Sequence, residues 1–176
     1  MKRVNNISNM KFLTTGRNSL REDMFNKVKN KEYINKPEGG IWSSPYTENE
    51  EYKSDWLRFC IEEDFNTGNI EIGVLFNIKE DSRVFVIDSM DDLKELYKKY
   101  KRNERTGSIL CEYYLDFEKL ALDYDAIYLT SEGEWKTRFP ERINSGEAIS
   151  LYGWDVETLL ILNFYCIDKQ EVMELK

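Results

Sequence analysis

Two short stretches carry side chains of the right type and spacing for chemistry. In Asp155-Val156-Glu157 two carboxylates stand two residues apart, followed at once by the apolar run Thr158-Leu159-Leu160-Ile161-Leu162. In an extended chain such a pair faces one way. A carboxylate at the edge of an apolar strand is partly desolvated and held in direction by the sheet. It can hydrogen-bond a sugar hydroxyl and stabilise an oxocarbenium-like transition state. The same two acids also suit the solvated entrance of an ordinary strand. The second stretch, Gly40-Ile41-Trp42-Ser43-Ser44-Pro45-Tyr46, sets two hydroxyls at a strand end beside aromatic rings. Rings there can sandwich a flat heterocycle, and hydroxyls can hold a ligand amide or a sheet-edge backbone. A core Trp42 with turn-forming serines is the alternative. A rival acid pair, Glu132-Gly133-Glu134, lacks a following apolar strand and reads as a solvated or substrate-facing loop.

The composition removes other chemistries. Histidine is absent, which excludes Ser-His-Asp and Cys-His nucleophilic sites and histidine–metal ligation. There is no dinucleotide glycine fingerprint, phosphate-binding loop, EF-hand or nucleophile-elbow spacing. Cys60, Cys111 and Cys166 are odd in number and far apart, so no structural zinc site is expected. Each lies among apolar neighbours and reads as a reduced core residue. Asp and Glu outnumber Lys and Arg by 33 to 25, a net charge of −8, which argues against general binding to a nucleic-acid backbone. The basic run Lys98-Lys99-Tyr100-Lys101-Arg102 suits a helix C-terminus. No apolar run is long enough for a membrane span. The first ten residues, MKRVNNISNM, lack the apolar centre of a secretory leader, and the chain is expected to be cytoplasmic.

These residues need elements to position them. The length predicts a single domain over residues 1–176, with 1–10 as a loosely held arm. Lys11–Gly16 reads as a strand, and Leu20, Met24 and Val28 predict a helix over Ser19–Lys29. Lys36-Pro37-Glu38-Gly39-Gly40 is the strongest breaker and leads into the Ile41 strand. Ser54 or Asp55 starts a helix that places Trp56, Leu57, Cys60 and Ile61 on one side. Asn69–Ile78 and Arg83–Ile87 read as a hairpin around Lys79–Ser82. Ser89 caps an amphipathic helix to Tyr100, with Met90, Leu93, Leu96, Tyr97 and Tyr100 as its buried stripe. Lys101–Gly107 reads as a linker, Phe117–Leu122 as a helix started by Asp116, and Ala126–Thr130 as a strand. Ser131–Ala148 reads as a long loop, and Glu157–Ile167 as one or two central strands. Long helices among short strands, without a βαβ rhythm, predict an α+β domain with mostly antiparallel sheet.

Three segments resemble, in order, the motifs of the ADP-ribosyltransferase fold. Phe12-Leu13-Thr14-Thr15-Gly16-Arg17-Asn18-Ser19-Leu20 resembles its first strand and turn. Gly40-Ile41-Trp42-Ser43-Ser44 resembles its second segment, and Asp155-Val156-Glu157 with the apolar strand behind it resembles its acid-x-Glu motif. Thr15 stands where that family has His or Arg, with Arg17 two residues on. The resemblance implies a split β-sandwich with flanking helices and NAD as cofactor. It makes Glu157 and Asp155 catalytic, and Thr15, Gly16, Arg17, Trp42, Ser43 and Ser44 cofactor-binding. Glu157 would hold the nicotinamide ribose, braced by Ser43 or Ser44, and Asp155 would face the acceptor. The three segments would then meet in one cleft. Separately, Lys36-Pro37-x-Gly39-Gly40-Ile41-Trp42-Ser43, Trp56 and Tyr152-Gly153-Trp154-Asp155 resemble small phage-encoded proteins. The expected function is NAD-dependent modification of a host protein or nucleic acid. The alternatives are a non-catalytic protein of the same fold that blocks a host defence factor by binding, and a metal-dependent hydrolase using Asp and Glu ligands.

Overall fold

The computed structural model describes residues 7–143 and 146–175. Of the predicted arm, residues 1–6 lie outside this range, while Ile7–Asn9 form a 3-10 turn with Ile7 buried. The elements in chain order are β1 (Phe12–Thr15), β2 (Ile41–Pro45), α1 (Asp55–Glu62), β3 (Ile72–Ile78), β4 (Val84–Ile87), α2 (Met90–Tyr100), β5 (Lys101–Arg105) and β6 (Tyr113–Leu115). They continue with α3 (Phe117–Asp123), β7 (Ala126–Leu129), α4 (Ser131–Thr137), β8 (Glu141–Arg142), β9 (Ala148–Ile149), β10 (Thr158–Ile161) and β11 (Ile167–Glu174). The fold is α+β. Seven strands form one sheet in the order β11-β3-β1-β2-β10-β7-β4, with β5–β6 and β8–β9 as separate ribbons. Every neighbouring pair in the large sheet is antiparallel except β4–β7, so the sheet is mixed.

Alternation along the central strands gives the sheet two apolar faces. Ile127, Leu129, Leu160 and Leu162 join Leu93, Leu96, Tyr97, Phe117 and Leu120 from α2 and α3 in one cluster. Tyr128, Leu159 and Ile161 face the other way and meet Phe12, Phe76, Ile7 and Leu20. A smaller cluster of Leu13, Leu57 and Leu75 seats α1 on the β1–β3 half. Leu13 pairs with Ser44, and directly paired residues share a face, so α1 stands on the Ser44 side of the sheet.

The α2 helix forms as its sequence predicts. The Ser89 hydroxyl accepts from the Asp92 N–H at 3.3 Å, and the Asp92 carboxylate accepts from the Asp88 N–H at 3.1 Å. Its buried residues are the five of the predicted stripe. Ser54 and Asp116 cap α1 and α3.

Other expectations are corrected. The predicted helix over Ser19–Lys29 is only a 3-10 turn, Glu22–Met24, and Met24 is exposed. Its neighbours spend their backbone groups elsewhere: Gln170 exchanges two hydrogen bonds of 3.0 Å with Leu20, and Lys29 bridges to Glu38. Leu20 and Val28 therefore enter different clusters. The predicted β3–β4 hairpin is absent, because β3 pairs with β1 and β11 while β4 lies at the opposite edge beside β7. The predicted linker after α2 begins with β5, and the predicted long loop begins with α4. Of the α1 side chains expected on one side, Leu57 and Cys60 are buried and Ile61 is exposed.

Candidate binding pocket

Between α1 and the α2–α3 cluster lies a cavity of about 270 Å³, lined by Lys36, Trp42, Ser43, Ser44, Trp56, Trp154, Asp155, Val156 and Thr158. Sheet register explains the meeting. Trp42 pairs with Leu160 and Ser43 with Leu159, so β2 and β10 run side by side. Ser43 Oγ donates to the Leu159 carbonyl at 2.9 Å, and Ser44 Oγ donates to the Glu157 carbonyl at 2.8 Å. Both serines thus act on the main chain, clamping β2 to β10. Ser44 holds the Glu157 backbone and not its carboxylate.

The indoles are fixed by their neighbours. Trp154 is buried, donates to the Asn35 carbonyl at 2.9 Å and stacks on Phe117. Trp42 meets Trp154 edge-on at 4.8 Å and donates to the Gly39 carbonyl at 3.2 Å. Trp56, from α1, stacks against Phe59. Lys36 arrives because Gly39 and Gly40 turn the chain at φ 77° and 66°. A Cβ on Gly40 would stand 2.7 Å from the Ile161 carbonyl, so the turn presses on β10 itself. The Lys36 ammonium lies 4.8 Å above the Trp42 ring and donates to the Gly153 carbonyl at 3.2 Å. Burial pushes its pKa down, Asp155 pulls it partly back and Lys31 lowers it further. Asn35, buried, anchors this segment by donating to Tyr97 Oη at 2.7 Å and the Ser150 carbonyl at 2.9 Å. Its own Oδ1 accepts from the Leu115 N–H at 2.8 Å.

The residues chosen from sequence divide. Trp42, Ser43, Ser44 and Asp155 line the pocket. Glu157 does not. The chain bends at Val156, so the extended geometry that would aim Asp155 and Glu157 alike is broken. The Glu157 carboxylate instead accepts from the Tyr128 hydroxyl. Burial pushes the Glu157 pKa up, against the lowering effect of Tyr128. Thr15, Gly16 and Arg17 also stay outside the lining. The β1–β2 pairing runs from Phe12–Pro45 to Leu13–Ser44, and Thr15 and Gly16 bond to β3 instead. The strands β1, β2 and β10 are nonetheless neighbours. The rival acids sit on α4, where Glu132 pairs with Lys136 and Glu134 with Arg138.

Lys36, Trp56 and Asn35 were not among the residues chosen for a site. For Lys36 the available signal was the Pro-Glu-Gly-Gly run after it, which returns the chain. A larger cavity of about 510 Å³, between Met10, Lys11, Tyr46, Leu75 and Met173, contains none of the chosen residues. All three cysteines are free and buried. Among the described residues, no three acidic or thiol side chains converge to hold a metal ion, and no helix is long and apolar enough to cross a membrane. The pocket brings together three indoles, one cation and one carboxylate. No family model, curated protein or solved structure matches the chain.

Proposed function

We propose that this protein works by binding: it holds a planar heterocycle of the nucleotide type in the tryptophan pocket and does not break a glycosidic bond. The observation that carries this reading is the Glu157 carboxylate, which accepts from Tyr128 away from the indoles. An oxocarbenium-like centre held against Trp42 would lack the acid that must stabilise it. With a net charge of −8, the surface suits a basic host protein, such as a defence factor, captured in the cytoplasm.

A second reading is NAD-dependent ADP-ribosyl transfer to a host protein or nucleic acid on a split-sandwich scaffold. The adjacency of β1, β2 and β10, with Ser44 bonded to the Glu157 backbone, favours it. One experiment separates the two. The protein is incubated with labelled NAD and a cell lysate, while ring binding is followed by calorimetry. Binding heat without nicotinamide release supports the binding reading. Nicotinamide release that disappears in Glu157→Gln supports the transferase and overturns it.

A further inference from the structure

The polar groups of the pocket narrow the ring it can hold. Ser43, Ser44 and Thr158 donate their hydroxyl protons to main-chain carbonyls at 2.9, 2.8 and 2.7 Å. Trp42 and Trp154 spend their indole N–H groups the same way. Among the described residues, three lining groups keep capacity. One is the Trp56 indole N–H. The second is the Lys36 ammonium, which has three N–H bonds and gives one to Gly153. The third is the Asp155 carboxylate, whose backbone carbonyl, not its side chain, accepts from Arg138 at 3.0 Å. Lys36 feels the Asp155 charge, yet the two form no direct ion pair among the described residues. A cation and a half-buried carboxylate therefore line the same indole-walled pocket without an ion pair between them, and both keep hydrogen-bonding capacity for a ligand.

We propose that the pocket is selective for guanine, whose lactam edge sets a carbonyl oxygen beside two N–H donors. Asp155 accepts from both N–H groups, Lys36 donates to the carbonyl, and Trp56 supplies the stacking face. This rests on the ring-binding reading above. Each of the common bases can offer one donor to Asp155 and one acceptor to Lys36. Guanine differs because its ring N–H and exocyclic amine together satisfy both carboxylate oxygens, so neither is left desolvated and bare. A paired recognition of this kind discriminates between bases by roughly 10- to 100-fold.

The test is calorimetry on the full chain with GMP, IMP, AMP, CMP and UMP at equal ionic strength. GMP is expected to bind at least tenfold more tightly than AMP, CMP or UMP. IMP, which keeps the carbonyl and ring N–H but lacks the exocyclic amine, is expected to fall between. In Asp155→Asn, with folding checked by circular dichroism, GMP affinity is expected to drop to the AMP level. AMP, CMP or UMP binding within threefold of GMP overturns the guanine assignment and leaves ring binding standing. IMP matching GMP does the same without any variant, and a GMP preference that survives in Asp155→Asn overturns the recognition by Asp155 on which the assignment is built. No heat from any of the five nucleotides or from NAD overturns the ring-binding reading itself and the assignment with it.

Discussion

Asn35→Leu is the sharpest perturbation of the pocket's foundation. Leucine keeps the branch at Cγ but carries no polar group, so every hydrogen bond of the side chain is lost, and its greater bulk adds overpacking to that loss. Asn35 is only 3% exposed, and its side chain serves the Leu115 N–H, the Ser150 carbonyl and the Tyr97 hydroxyl. Tyr97 keeps a second partner, Cys111 Sγ at 2.6 Å. The other two lose a buried partner, at about 1–3 kcal/mol each. The expected loss is about 2–6 kcal/mol, a large share of the ~5–15 kcal/mol that holds a domain together. In urea, with a slope near 2 kcal/mol/M, this moves the unfolding midpoint down by about 1–3 M. Tyr97→Phe is the control and should move it by no more than about 0.5 M, because Asn35 Nδ2 retains the Ser150 carbonyl. An Asn35→Leu midpoint within about 0.5 M of wild type refutes the hub argument. Ring binding should also weaken at zero urea, since Asn35 precedes Lys36 and its carbonyl holds Trp154.

Three further outcomes are expected. Trp56→Ala removes a stacking face without opening the core, and should weaken binding of every nucleotide by about 5- to 100-fold in a calorimetric titration. Equal affinity would place the ring elsewhere. The Asp125 carboxyl is buried, which alone would raise its pKa, but Arg83, bonded to both its oxygens, and Tyr165 hold it down at about 2. Its contribution is therefore present above the unfolded value near pH 3.8 and is lost as pH falls toward 2. With Arg83 half exposed, the loss is about 1–2 kcal/mol, read as a fall in urea midpoint that should be smaller by that amount in Asp125→Asn. Gly133→Ala, despite alanine's better helix propensity, should destabilise by about 1–3 kcal/mol, because its Cβ would run into the Ile87 carbonyl. A melting temperature at or above wild type would contradict the close approach of α4 to β4.

What could be read from sequence was what is local. Ser89, the Asp91-Asp92 start and the Leu93–Leu96–Tyr97–Tyr100 stripe define α2 within its own residues, and the helix appears with those bounds. The strand segments at Phe12, Ile41 and Thr158 were legible from their apolar runs. What failed depended on distant partners. Leu20, Met24 and Val28 have helical spacing, but Gln170 and Glu38 take the backbone bonds on either side of them. Gly133 made α4 look like loop because a glycine in a helix usually weakens it; here it admits the end of β4. In the site, Trp42, Ser43, Ser44 and Asp155, singled out by type, line one pocket. The bend at Val156 and the Tyr128 hydroxyl that takes Glu157 leave no mark in the local pattern.

The seam between β2 and β10 has a consequence for biogenesis. Ser43 and Leu159 are 116 residues apart, yet they are hydrogen-bonded partners at the centre of the sheet. As the ribosome extends the chain, β2 can pair with β1 early but must wait for most of the protein before its other edge is covered. Until then Ile41, Trp42 and the serine hydroxyls face the nascent-chain environment with open strand bonds, a surface that invites chaperones or premature association. Completion of the sheet and creation of the pocket are thus one late event. A chain stalled before residue 157 would carry every indole of the site and still have nowhere to put a ligand.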